Sequence, residues 1–171
     1  MSAFSLFNLA PGVTILDRYE IKSANRQGSM SAAFQAQDVT DGSACELQGF
    51  PAGLFENPEQ AEEFAASMRG WKGVDSDAVL CIRSVEVLED NSILVVTDLP
   101  MGDSLRDAMS ETGAFTAPEV QTIGVAILNG LSAVHDAGHI HGDIKPNAIH
   151  LTGDGPVLVD GGITMGLWSA K

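Results

Sequence analysis

His141-Gly142-Asp143-Ile144-Lys145-Pro146-Asn147 is a polar segment with an acid and a base two residues apart. A second polar segment, Asp160-Gly161-Gly162, begins 17 residues after Asp143. Between them lie two short apolar runs, Ala148-Ile149-His150-Leu151 and Pro156-Val157-Leu158-Val159, each of strand length. Upstream, Thr116-Ala117-Pro118-Glu119 carries the signature of a helix start, with Thr116 as cap and Pro118 in the first turn. The helix it opens has apolar positions at Val120, Ile123, Ala126, Ile127, Leu131 and Val134 and ends near Gly138. A long helix therefore feeds a polar loop, two short strands and an Asp-x-Gly turn. His135 and His139 near the helix end are spaced like a metal pair, but no Cys or carboxylate lies in register with them, so they read as packing or surface residues.

The order H-x-D-x-K-P, two short strands, D-x-G resembles the catalytic loop and metal-binding loop of a protein kinase. A chance polar turn between two strands is a poor competitor for motifs retained in that order and at that separation. The resemblance implies that Asp143 stands where the loop Asp accepts the proton of a substrate hydroxyl. Lys145 stands where a Lys steadies the transferred phosphate, and Asp160 where the Asp of D-F-G holds magnesium. It also implies departures: the family's Arg is Gly142, its second metal-binding Asn is Ala148 and its Phe is Gly161.

Toward the N-terminus, the run from Leu9 to Ile21 with Pro11-Gly12 and Arg18-Tyr19 resembles the lead-in of bacterial Ser/Thr kinases. A strand, a turn at residues 26–31 and a return strand from Ala32 follow. A working glycine loop needs bare backbone for its N–H groups to reach phosphates. Of its three glycines only the middle one remains, as Gly28, and an ordinary hairpin turn explains that residue equally well. The strand Ala44 to Phe50 corresponds to the one bearing V-A-I-K: Gln48 replaces the phosphate-gripping Lys and Glu46 the Ala above the adenine. Asn57-Pro58-Glu59-Gln60 opens a helix whose apolar face is Ala61, Phe64, Ala65, Met68 and Trp71. Ser67 falls where the resemblance expects the Glu that pairs with that Lys. Two strand-like runs follow, Ala78 to Val87 and Ser92 to Leu99. Thr97 then falls at the gatekeeper, and Leu99-Pro100 at the hinge, where proline offers no N–H to adenine. Ser104 to Glu111 reads as a short helix. Below the adenine position the register places His150, which could pair with Glu46 across an empty slot; a register slip by one would turn both to solvent.

Composition bounds the rest. With 44% apolar residues and 18 glycines in 171 residues, the chain suits a globular α/β or α+β protein of one domain or two small lobes. The balance of 9 Lys+Arg against 23 Asp+Glu argues against nucleic acid or an anionic membrane as a direct partner. Cys45 and Cys81 each sit in an apolar run and are expected to be buried free thiols. No stretch approaches the ~20 apolar residues of a membrane span, and residues 1–15 lack a basic region, so a cytoplasmic location is expected.

The expected architecture is α+β: a protein kinase-like fold with a lead-in (1–16), a β-rich small lobe (17–99) of five antiparallel strands and one helix, and a hinge with an incomplete helical lobe (100–171). Because the resemblance stops soon after Asp160-Gly161-Gly162, the helix over 116–138 is expected to be covered by a missing segment or a protein partner. The phosphate-gripping Lys, its helix Glu, the second metal-binding Asn, two loop glycines, the hinge N–H donor and the Phe of D-F-G are all absent, and phosphoryl transfer depends almost wholly on positioning and charge. The expectation is a pseudokinase acting in regulation or protein–protein interaction, with no cofactor. The competing readings are a residual nucleotide binder or unorthodox phosphotransferase, taking ATP and magnesium through Asp143, Lys145 and Asp160, and a decayed scaffold.

Overall fold

The computed structural model describes residues 9–27 and 30–170. The chain divides into two compact units. The first takes in residues up to Arg69, Ile82–Leu99 and the last residues from Ser169; the second comprises Gly70–Cys81 and Pro100–Trp168. The expected division into a β-rich part and a part containing the long helix is present.

The first unit is built on one antiparallel sheet. Its strands are β1 (Thr14–Ile15), β2 (Tyr19–Gln27), β3 (Ala32–Asp38), β4 (Ala44–Phe50), β5 (Ile82–Val87) and β6 (Ile93–Asp98), in the order β1-β2-β3-β4-β6-β5. Five strands were expected, and β1 is the sixth. It pairs with β2 through Thr14↔Glu20 and Ile15↔Tyr19 across a turn in which Leu16 and Asp17 take φ of 54° and 51°. That left-handed turn uses neither Gly nor Asn, so it carries no hairpin signal in the sequence.

Alternation along the strands separates two faces. One packs Tyr19, Ile21, Phe34, Ala36, Cys45, Leu47, Leu94 and Val96 into a buried cluster that also holds Ile15 from β1. The opposite face of β4 presents Phe50, whose ring meets Phe64 edge-on at 4.9 Å. Phe64 belongs to helix α1 (Pro58–Gly70), where Ala61, Phe64, Ala65 and Met68 are fully buried at the spacing the sequence predicts. Asn57 caps α1, its Oδ1 accepting the Gln60 N–H at 2.9 Å. Burying a Phe of this kind is worth ~2–3 kcal/mol, so the Phe50–Phe64 contact helps to tie helix to sheet.

Two ion pairs staple the sheet's ends. The Arg18 guanidinium meets the buried Asp38 at 2.7 Å, and Arg83 bonds Asp98 at 2.6 Å, the Ser43 hydroxyl at 2.7 Å and the Ala44 carbonyl at 2.9 Å.

The second unit holds α2 (Leu105–Thr112), α3 (Ala117–Asp136) and a three-stranded sheet of β7 (Asp103–Ser104), β8 (Ile149–Thr152) and β9 (Gly155–Leu158). After Asp160-Gly161-Gly162 comes α4 (Ile163–Ser169). Helix α3 starts at Thr116, whose hydroxyl and N–H both donate to the Glu119 carboxylate at 2.7 Å. It ends in a left-handed Gly138, with the His139 N–H returning to the Val134 carbonyl.

The strand expected from Ala78 starts only at Ile82. Residues 78–80 run beside β9 instead: the Leu80 N–H donates to the Leu158 carbonyl, and the Leu158 N–H to the Ala78 carbonyl, both at 2.8 Å. Gly130 of α3 lets that segment come close, since a Cβ there would lie 3.1 Å from the Ala78 carbonyl oxygen. Cys81, at the exit from this pairing, is exposed, contrary to expectation, while Cys45 is buried as expected. Among the described residues, no helix is long and apolar enough to cross a membrane.

Candidate functional site

The second unit positions the H-x-D-x-K-P loop from both sides. Helix α3 delivers the chain into it, and a short 3-10 turn, Pro146–Ala148, leads out into β8. His141 is the pivot and is 1% exposed. Its Nδ1 accepts the Asp143 N–H at 3.4 Å, and so the neutral ring carries its proton on Nε2, which donates to the Val159 carbonyl at 2.9 Å. One imidazole thus ties the loop acid to the residue preceding Asp160. Burial holds the His141 pKa below the usual imidazole value, outweighing its bond to Val159 and the charges of Asp160 and Asp143. The Val159 N–H in turn donates to the Ala148 carbonyl at 2.9 Å, completing the tie between loop and turn.

Asp143 and Lys145 are brought together as an ion pair, with side chains one-third and one-half exposed. Asp160 takes the left-handed conformation, φ 58°, at the head of its turn. Ala148, at the position of the second metal-binding Asn, is fully buried and offers only a methyl group. Gly142, at the family's Arg position, has φ +80°, and a Cβ there would overlap Met165 of α4. An L-residue is therefore disfavoured twice, by backbone and by space. His150 pairs in register with Ser104, and its Nδ1 donates to the Gly102 carbonyl at 3.2 Å, so its ring is engaged by the segment that precedes α2.

In the first unit, Glu46 and Gln48 lie on the face of β4 that also carries Phe50. Glu46 stands in register between Gln35 of β3 and Thr97 of β6, and Gln48 between Ala33 and Val95. Glu46 is 4% exposed, and Gln48 is half-buried. The Thr97 hydroxyl donates to the Asp98 carbonyl at 2.9 Å, and Leu99 follows β6, half-buried. Gly28 lies outside the described residues. Ser67 is half-buried on α1.

Two residues that matter here were not singled out in the sequence. Trp71, read there only as the last residue of an apolar helix face, lies at the edge of the His141 ring and over Gly161-Gly162. Met165 occupies the space beside Gly142. The loss of large side chains at 142 and 161 was visible in the sequence, and it is the signal that something else fills those places.

The profile of the protein kinase domain family matches residues 27–164. The probable serine/threonine-protein kinase PknB of Corynebacterium glutamicum is 31% identical over 148 residues, covering 85% of this chain and 23% of that protein. The serine/threonine-protein kinase PknL of Mycobacterium bovis is 25% identical over 155 residues, covering 90% of this chain and 39% of that protein. The chain thus spans well under half the length of either relative. Among solved structures, the PknI kinase domain of Mycobacterium tuberculosis superposes with a TM-score of 0.80 at 20% identity, over 91% of this chain and 62% of that one. The chain belongs to the protein kinase domain family, as a kinase-like domain homologous to the bacterial serine/threonine kinases.

Proposed function

We propose that the chain is a pseudokinase module: a kinase-like fold that does not transfer phosphate and acts by binding, in regulation of a protein partner. The observation that carries this reading is where the lysines are. Position 48, in the middle of β4, holds Gln with Ala33 and Val95 as its strand neighbours. Among the described residues, Lys22 is paired with Glu20 at 2.8 Å, Lys72 sits in the 3-10 turn after α1, and Lys145 is paired with Asp143. None stands on the strand that would grip a nucleotide's phosphates. Magnesium fits no better, because buried Ala148 has no side-chain oxygen to offer where a second metal ligand is needed, and its carbonyl is taken by the Val159 N–H. The residues present do not fit an ATP–magnesium complex bound for catalysis, and the proposed module needs neither.

The binding role rests on α3. Val120, Val125 and Leu128 are 56%, 52% and 67% exposed on that helix, an apolar stretch suited to another polypeptide, either a further segment of a parent protein or a partner. The acidic balance of the chain fits a protein surface better than nucleic acid or membrane.

One observation favours a second reading. The Asp143–Lys145 pair and the His141 ties are intact, which suits a residual nucleotide binder or an unorthodox phosphotransferase using Asp143, Lys145 and Asp160. Incubation with labelled ATP, magnesium or manganese and generic acceptors separates the two. The pseudokinase reading expects no more incorporation in the wild type than in Asp143→Asn or Asp160→Asn. Incorporation that disappears in either variant would establish the second reading.

A further inference from the structure

In the Asp160-Gly161-Gly162 turn the two glycines bring no side chain, yet Gly162 is buried. What covers it comes from 90 residues upstream. Trp71, 5% exposed, stands with its indole against both glycines. A Cβ built on Gly161 would overlap the six-membered ring, also coming within 2.9 Å of Cε3 and Cη2, and one built on Gly162 would overlap the pyrrole edge. The same indole stacks on His139 with ring centres 5.3 Å apart and planes at 24°. It meets His141 edge-on at 6.2 Å and 81°. Gly70, next to Trp71, is itself closed in, with a Cβ there falling 2.9 Å from His139 Cε1. One aromatic side chain therefore touches the end of α3, the pivot of the H-x-D-x-K-P loop and the Asp-Gly-Gly turn.

We propose that Trp71 is the positioning residue of the Asp160 turn, an aromatic plug supplied by the segment after α1 in place of a side chain at 161, holding the turn closed on His141. The two glycines and the indole form a complementary pair, because either a larger residue at 161 or a smaller one at 71 breaks the fit. Gly161 is the informative partner. Gly162 has φ +74°, which strains any L-residue, whereas the objection to a side chain at 161 is the indole. The plug also explains how a turn with two glycines keeps one shape: the entropy that glycine would otherwise retain is offset by packing against a buried ring.

The test is a double-substitution cycle in the full 171-residue chain: Trp71→Ala, Gly161→Phe and both together, with Phe64→Ala as a core-truncation control. Thermal unfolding and amide hydrogen exchange over residues 158–166 are the readouts. Trp71→Ala is expected to lower Tm by about 10 °C and to speed exchange in 158–166 about tenfold. Phe64→Ala should cost a similar Tm and leave that segment's exchange unchanged relative to the rest of the chain. Gly161→Phe alone should be as damaging or fail to fold. The double variant should recover at least half the Tm lost in Trp71→Ala and slow the exchange again. The proposal is overturned if Gly161→Phe alone is neutral. A double variant that is no better than Trp71→Ala, or that does not fold, also overturns it, as does equal acceleration of the 158–166 segment by Phe64→Ala.

Discussion

Replacing His141 by Ala tests the link between the loop and the Asp160 turn, and pH gives the test its sign. The ring is 1% exposed and makes two hydrogen bonds, one to a carbonyl that is itself buried. Leaving the Val159 carbonyl without its donor costs about 1–3 kcal/mol, and losing the packed ring adds about 1–2 kcal/mol. His141→Ala should therefore destabilise the chain by about 3 kcal/mol at pH 7.5, a fall of roughly 1.5 M in the urea midpoint. Burial depresses the folded-state pKa of His141 below that of the unfolded chain, about 6.5. As pH drops through 6.5 the unfolded state takes up a proton that the folded state refuses, so stability falls. The slope is at most about 1.4 kcal/mol per pH unit, and the fall ends once the folded pKa is passed. The contribution is fully present above 6.5 and lost below it. The variant lacks this dependence, so the gap between wild type and His141→Ala must narrow from pH 7.5 to 5.5. A gap that stays constant over that range would show that the ring is not held neutral, and the account of the pivot would fail.

Asp38 gives an acid counterpart. Its hydrogen bond from Arg18, with those from Thr40, holds its carboxyl well below the usual carboxylate range. The stability it contributes is present above the unfolded pKa near 4 and lost as pH falls further, so Asp38→Asn should flatten the wild type's acid-unfolding curve below pH 4. Thr116→Ala, which removes the hydroxyl bonded to Glu119, should cost about 1 kcal/mol in urea unfolding. Of the two thiols, exposed Cys81 should react with a thiol reagent in the native state. Cys45 should react only on unfolding, since burial both hides it and raises its pKa.

The elements with strong periodicity or explicit caps were legible in the sequence. Thr116 and Glu119 announced α3, Asn57 and Pro58 announced α1, and the spacing of Ala61, Phe64, Ala65 and Met68 gave the face that α1 buries. What escaped depends on partners distant in sequence. Strand β1 was missed because its turn is made by Leu16 and Asp17 in left-handed conformations, and Leu-Asp is not one of the usual hairpin pairs. Ala78 to Leu80 looked like the start of β5 because apolar runs do not say which strand they will join; Leu158 took them. Cys81 came out exposed for the same reason. At the site, Asp143, Lys145 and Asp160 were readable because motif and spacing name them. The tie of His150 to Gly102 and the roles of Trp71 and Met165 were not, since those contacts follow from tertiary packing alone.

That packing bears on whether the departures from the family are simple decay. A site that only loses side chains should leave voids and unpaired polar atoms. Here the two missing large residues are matched by neighbours, Met165 against Gly142 and Trp71 against Gly161-Gly162. Among the described residues, no buried side-chain nitrogen or oxygen lacks a hydrogen-bond partner. The consequence is physical and asymmetric. Restoring Arg at 142 would force a left-handed residue into Met165, and restoring Phe at 161 would drive a ring into Trp71. Neither family side chain returns without displacing a neighbour. Each would first cost stability, because the space it needs now belongs to another part of the fold.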